Sequence, residues 1–419
     1  MTEQRAKAVN ATALIGCNVC WGSLDLFIST FLIAQLLFIT GGNIAMVATY
    51  NLVFYVGLFV FYVLLSYFVK RVSSVWCIRA GVFFQVVTIS LICIFNDKLT
   101  DLYLVFAAVS GIAAGTFWIG YNSFMANTMG GTKMLRFQAY SNIASATAKI
   151  ILPFTLGAII TYVKFVVAAY VAFGIGLVLV GFTLLMQIDK SSKGRLSFIR
   201  HFKLIKTEKL GRPVALNFLM QFIRTLYAGT GLCVIVLLSL YFKDSFSIGY
   251  LGSIFSALSI IVLISYRLIK SRKIKNNIFL AASIMAFGLT LGLLFKVDKV
   301  TIILFQLASA VMLIVPNIEF GKLQYDVMKE LGHPKESTES LVVVELAFFI
   351  GRITTMSLII WAYHANSFWM FRILTAVFMS SAIISYIIFR IWWRLYGNRI
   401  PRVPYAKKGT PVQLSPIDN

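Results

Sequence analysis

"VVVELAFFIGRI", residues 342–353, is an apolar run with Glu345 and Arg352 set inside it. A charge at the centre of a bilayer costs roughly 2.5–3.5 kcal/mol on insertion scales, and those that persist there mark functional positions. Seven residues is close to two helical turns, so the two side chains share one stripe about 10 Å apart. The rest of the chain has the same character. Of 419 residues, 59% are hydrophobic and 13% charged, and the mean hydropathy is +0.86. A soluble domain carries about 25% charged residues. This is a membrane protein, and the lengths of its apolar runs make it all-α.

Runs of about 20 apolar residues fall at 11–37, 44–68, 79–96, 102–128, 137–162, 164–187, 213–241, 248–268, 276–295, 300–323, 340–363 and 368–392, giving twelve spans. The polar start "MTEQRAKAVN" leads into a run too long for the apolar core of a signal peptide, so no removable signal is expected. With the N-terminus in the cytoplasm, 29 of the 38 Lys and Arg lie inside and only Lys98, Lys164, Lys243, Lys296, Lys299 and Arg372 lie outside. The opposite orientation would invert that bias. Both termini are therefore expected on the cytoplasmic side of the inner or plasma membrane.

The formal net charge of +23 follows from this topology and from attraction to anionic headgroups. Nucleic acid is not needed as a partner. Cys17, Cys20, Cys77, Cys93 and Cys233 all fall in or beside apolar runs, where they serve as small packing residues. Cys17 and Cys20 form a CxxC, but no second ligand pair accompanies them as a zinc site would require. No phosphate-cradling glycine loop or nucleophile elbow appears, and His201, His333 and His364 are isolated in polar segments. Neither an enzyme nor a bound cofactor or metal is expected.

The longest polar stretch, "DKSSKGRLSFIRHFKLIKTEKLGR" (189–212), divides the chain into six spans and six. Two readings of it stay open. One is a basic amphipathic helix on the membrane surface, carried by Leu196, Phe198, Ile199, Phe202, Leu204 and Ile205; the other is a flexible linker. The halves match in register. "VLLSYFVKR" (63–71) and "VLISYRLIK" (262–270) share Val, Leu, Ser and Tyr at an offset of 199, which also sets Asn18 on Asn217 and Asp25 on Arg224. Lys149 matches Arg352 at an offset of 203. Such duplication is how many transporters are built. The expected units are a first bundle at 1–188, a linker at 189–212, a second bundle at 213–398 and a cytoplasmic tail at 399–419.

Twelve spans in two sets of six, a basic central loop and a repeat of about 200 residues resemble the major facilitator superfamily, over essentially the whole chain. Its loop 2–3 signature falls near "LSYFVKRVSSVW", where Lys70 and Arg71 are kept but the signature's Gly and Asp are not. "LPFTLG" (152–157) stands where the superfamily's exporters carry a GPxxGG-like element, with Lys149 near positions where small residues are expected. "GTFWIGYNS" and "ELAFFIGRI" are similar to segments of uncharacterised bacterial permeases of the superfamily. The resemblance implies two pseudo-symmetric six-helix bundles around a central cavity. It also implies that spans three, six, nine and twelve face lipid, which fits their lack of mid-membrane charge.

Intramembrane ionisable residues are the candidate site. Asp25 and Arg224 are either a permanent salt bridge between the halves or contacts for substrate or ion. Lys149 and Arg352 are placed to hold an anionic substrate. Glu345 and Glu319 are candidates for gating or proton coupling, with Asp25 the rival carrier, and Pro316 should kink span ten. Trp118, Tyr121 and Asn122 are candidate substrate contacts on span four, Asn142 and Gln221 lesser ones. Gly111 and Gly115 are more simply read as close-packing positions. The expected function is secondary active transport of a small solute by alternating access, ion- or proton-coupled, by a monomer. The alternatives are an exporter or flippase of amphipathic molecules and, remotely, a non-transporting scaffold.

Overall fold

A computed structural model describes residues 3–128, 132–187, 196–207, 211–269, 271–319, 337–365 and 368–396. Among the described residues there is no strand. Twelve helices there are long and apolar enough to cross a membrane: Asn10–Ile39, Ile44–Arg71, Ser74–Ile94, Tyr103–Met125, Ile143–Tyr162, Phe165–Leu185, Gly211–Phe242, Ser245–Tyr266, Arg272–Phe295, Lys299–Glu319, Thr338–His364 and Phe368–Leu395. They are called spans one to twelve. Span three begins five residues earlier than the apolar run suggests, because the Ser73 side chain accepts the Val75 N–H at 3.2 Å and caps the helix there. The basic segment between the halves contains a helix, Phe198–Thr207. Residues 188–195, 208–210 and the tail 399–419 lie outside the described residues.

The packing repeats with a shift of six spans. Span one packs on five and six, and seven on eleven and twelve; span four packs on two and three, and ten on eight and nine; three packs on six, and nine on twelve. Across the halves, span two packs on eleven and its counterpart eight packs on five. The sequence repeat is thus a repeat of neighbours.

Two arginines show how charge is accommodated at helix ends. Arg79, at the start of span three, donates to the Thr183 and Met186 carbonyls at the end of span six. Arg372, at the start of span twelve, donates to the Leu293 (2.5 Å) and Leu294 (2.6 Å) carbonyls at the end of span nine. Each cation meets the negative end of a helix dipole and fills its unsatisfied carbonyls.

Three spans are irregular in mid-course. Span one is π-helical over Phe27–Leu32, starting two residues after Asp25. Span seven is interrupted at Gly229, between Gly211–Ala228 and Thr230–Phe242. Span ten is π-helical over Ala308–Met312, ending at the carbonyl four residues before Pro316, the one the proline ring would crowd. Such bulges recur at functional sites, and these flank the candidate charges.

Candidate functional site: charged groups at the centre of the bundle

Arg352 lies on span eleven, whose approach to span seven is set by Gly351. A Cβ at that position would overlap the Thr225 hydroxyl. Close approach brings both arginines to one ring: the Arg352 guanidinium stands 5.3 Å from the Phe348 centroid and Arg224 of span seven 5.7 Å from it. On its other side Arg352 lies 5.1 Å from the Tyr55 ring of span two, in the opposite half. Cations over ring faces are attracted by the ring quadrupole, more strongly when desolvated.

The expected separation of Glu345 and Arg352 is corrected here. Their backbones are two turns apart, but Arg352 reaches back along the stripe and donates to the Glu345 carboxylate at 2.5 Å. Glu345 is buried and Arg352 about a quarter exposed. A long guanidinium side chain directed toward the N-terminus of its helix closes the gap that axial rise alone would leave.

Asp25 sits at the middle of span one, and its side chain keeps accessible surface. The cations whose charge reaches it are Lys149 of span five and Arg352. Of the two readings of Asp25 and Arg224, the salt bridge between the halves is not formed. Arg224 instead donates to Asn317 of span ten at 3.2 Å, which also accepts the Tyr227 hydroxyl at 2.8 Å, and it approaches Gln221 at 3.5 Å. The two positions are equivalent in the repeat, but equivalent positions face their own halves' neighbours. Lys149 is exposed. Asn18 holds span one to span five by donating to Ser141 and Ser145 at 2.8 and 3.2 Å. The Asn142 side chain lies outside the described residues.

Glu319, the other candidate for gating or coupling, has its partners within its own half. It accepts from the Tyr266 hydroxyl and, at 2.7 Å, from Arg272, which stacks over Trp393 at 4.3 Å. These partners lie on spans eight, nine and twelve, so Glu319 ties its own half together at the end bearing the basic loops. Trp118 stands edge-on to Tyr121 at 5.4 Å and to Trp21 at 6.5 Å, while Asn122 donates to the Tyr62 hydroxyl at 3.3 Å. Trp21 is one turn from Asp25, so this aromatic cluster adjoins the charged group. Gly111 and Gly115 do bring spans two and four together: a Cβ on either would overlap a carbonyl oxygen of Phe54 or Leu58.

Sequence reading missed Tyr55, Phe348 and Asn317. Phe348 sits four residues before Arg352, the spacing of one helix face, and Asn317 follows Pro316; those were the available signals. It also missed Lys70 with Glu339. Lys70 was counted only as a basic loop residue, yet it is buried and holds the buried Glu339 at 2.5 Å, joining span two to span eleven at the basic end. His201, expected in a polar segment, is buried under its helix. All five cysteines are free, four of them buried.

Known proteins agree with this architecture. At 23% identity the chain is similar to the uncharacterised protein YqgE of Bacillus subtilis, over 80% of this chain and 78% of that one. Among solved structures it superposes on PepTSo, a POT family transporter, with a TM-score of 0.68 at 9% identity, covering 95% of this chain and 99% of that one. It also superposes on an inward-facing bacterial homologue of the iron transporter ferroportin (TM-score 0.62, 14% identity, 94% and 99%) and on the nucleoside transporter NupG (0.62, 14%, 93% and 99%). The Major Facilitator Superfamily profile matches residues 13–321. The chain belongs to the major facilitator superfamily, whose members carry solutes across membranes.

Proposed function

We propose that this protein is a proton-coupled secondary transporter of a small solute bearing an anionic group. Its halves, 1–188 and 213–398, rock about the central charges, with 189–212 as linker and 399–419 as tail. The protein works as a monomer in the plasma or inner membrane, the basic end in the cytoplasm by the positive-inside rule. One observation carries the reading: Arg352, turned toward the opposite half, is occupied by Glu345 at 2.5 Å, while Arg224 beside it has no carboxylate within ion-pair distance among the described residues.

The central charges are Lys149, Arg224 and Arg352 against Asp25 and Glu345, a surplus of one cation. An anionic group fits between Arg352 and Arg224 if Glu345 lets go. Protonation of Glu345 removes its negative charge and frees Arg352. Proton and anion therefore enter together, and affinity for the anion rises as pH falls. The same carboxylate reclaims Arg352 when the proton leaves, which expels the solute. Asp25 offsets Lys149 between cycles and is the alternative carrier. Trp118, Tyr121 and Asn122 border the site as contacts for the solute's uncharged part.

The test uses purified protein in two steps. A panel of organic anions is screened by thermal shift, and flux of a stabilising anion is then followed in proteoliposomes with and without a pH gradient. Glu345→Gln should keep binding, now insensitive to pH, and lose uphill transport while exchange persists. If that variant still concentrates the anion like the parent, Glu345 is not the coupling group, and Asp25→Asn is measured next. If no anion binds but neutral or cationic solutes do, the anionic reading falls.

A further inference from the structure

The segment joining the halves does more than connect them. Its Ser197 N–H donates to Glu339 at 3.1 Å, the carboxylate that also holds Lys70. Phe198 packs on the cluster formed by Tyr62, Val69, Cys77, Ile119, Leu341 and Val342, drawn from both halves. The helix Phe198–Thr207 turns His201 and Ile205 inward, where both are buried. On its opposite face Ile199 is 85% exposed and Phe202 56% exposed, and Lys203 and Lys206 are exposed beside them.

Residues 199, 202, 203 and 206 follow the spacing of one helical stripe. A stripe of two large apolar and two cationic side chains pays for exposure in water but suits the boundary between headgroups and acyl chains. The chain also holds the helix close to the membrane. The helix is bound to the ends of spans that leave the bilayer at this face, Leu185 before it and Gly211 after it. The whole segment 189–212 holds eight Lys and Arg against Asp189, Glu208 and no other acid.

We infer that this stripe docks on anionic phospholipid headgroups, and that lipid occupancy reinforces the Lys70–Glu339 latch through Ser197. The occupant is the bilayer surface: the apolar pair enters the interface while Lys203 and Lys206 meet phosphate. Anionic lipid would then favour the form closed at the basic end. The inference rests on transport by movement of the halves, but its test needs no solute and is separate from the fate of Glu345.

The full-length protein is placed in nanodiscs of phosphatidylcholine alone and of phosphatidylcholine with phosphatidylglycerol. Hydrogen exchange is followed in peptides covering 196–207 and 337–345. Phosphatidylglycerol should slow exchange in both segments, by on the order of fivefold for each lysine engaged. Lys203→Glu with Lys206→Glu, two exposed sites, should remove the slowing in both and leave the thermal unfolding temperature near that of the parent. Ser and Lys variants of the latch are not required. Equal exchange in the two lipids overturns the docking. Slowing in 196–207 with none in 337–345 overturns the coupling to the latch. Slowing by soluble glycerophosphoglycerol in pure phosphatidylcholine discs also overturns it, since that marks a headgroup pocket and not a surface.

Discussion

Where spans five and eight meet, Pro153, Gly157 and Gly249 bring two backbones so close that a Cβ on Gly249 would overlap the Pro153 carbonyl oxygen. Where spans two and eleven meet at the other end, a buried ion pair does the joining, Lys70 with Glu339 at 2.5 Å. The first junction belongs to a wider seal. The ends of spans one and seven touch there, Leu240 sits under Gly42, and the Phe246 N–H donates to the Thr161 hydroxyl at 2.9 Å. That seal depends on shape, with small residues allowing close van der Waals contact. Parting it would give up many weak contacts at once. The ion pair behaves differently: its two charges cost little to separate into water, but much if one is left buried alone. The two ends are therefore broken by different substitutions.

The largest effect is expected at the latch. Lys70→Met leaves Glu339 buried without its cation, a loss of about 3–5 kcal/mol, so the basic end should open. The double variant Lys70→Met with Glu339→Met should close it again, because an apolar pair of similar volume is often neutral or stabilising. Spin labels at positions 72 and 346, both exposed, would report the distance between spans two and eleven. A double variant as open as the single one would show that charge pairing does not hold this end.

Gly249→Val comes next. Forcing a side chain against the Pro153 carbonyl should cost about 1–3 kcal/mol and fall on the closed seal, widening the distance between labels at 162 and 250. Gly115→Val sharpens the comparison. Its contact with Leu58 lies within one half, so it should lower the unfolding temperature while leaving the 162–250 distance alone. If both glycine variants act alike, the seal is not distinct from ordinary core packing.

The smallest effect is Thr161→Val. It removes the acceptor for the Phe246 N–H, worth about 1 kcal/mol, and should shift the 162–250 distance distribution only slightly. A shift as large as that of Gly249→Val would move the weight of the seal from shape to this hydrogen bond.

The spans were legible because bilayer thickness fixes how long an apolar run must be, and the duplication because equivalent helices keep similar lengths and signatures. The candidate charges were legible for the same reason: Asp25, Lys149, Arg224, Glu345 and Arg352 stand out against an apolar background. Their partners were not. Repeat register set Asp25 opposite Arg224, yet Arg224 turns to Asn317 and Asp25 lies with Lys149 and Arg352. Helical rise set Glu345 and Arg352 apart, yet the arginine spans the gap. Lys70, read as a loop charge, meets Glu339, which drew no notice in the sequence, in the interior.

What the sequence determined by itself is every property tied to local periodicity and to the solvent: the membrane class, the count of spans, the basic end and the set of intramembrane charges. What only tertiary structure decided is which charge meets which. Ion pairing depends on the distance between helices far apart in the chain, set here by glycines at crossing points and by the reach of flexible side chains. Neither quantity has a period along the sequence, so no pattern of residues could announce it.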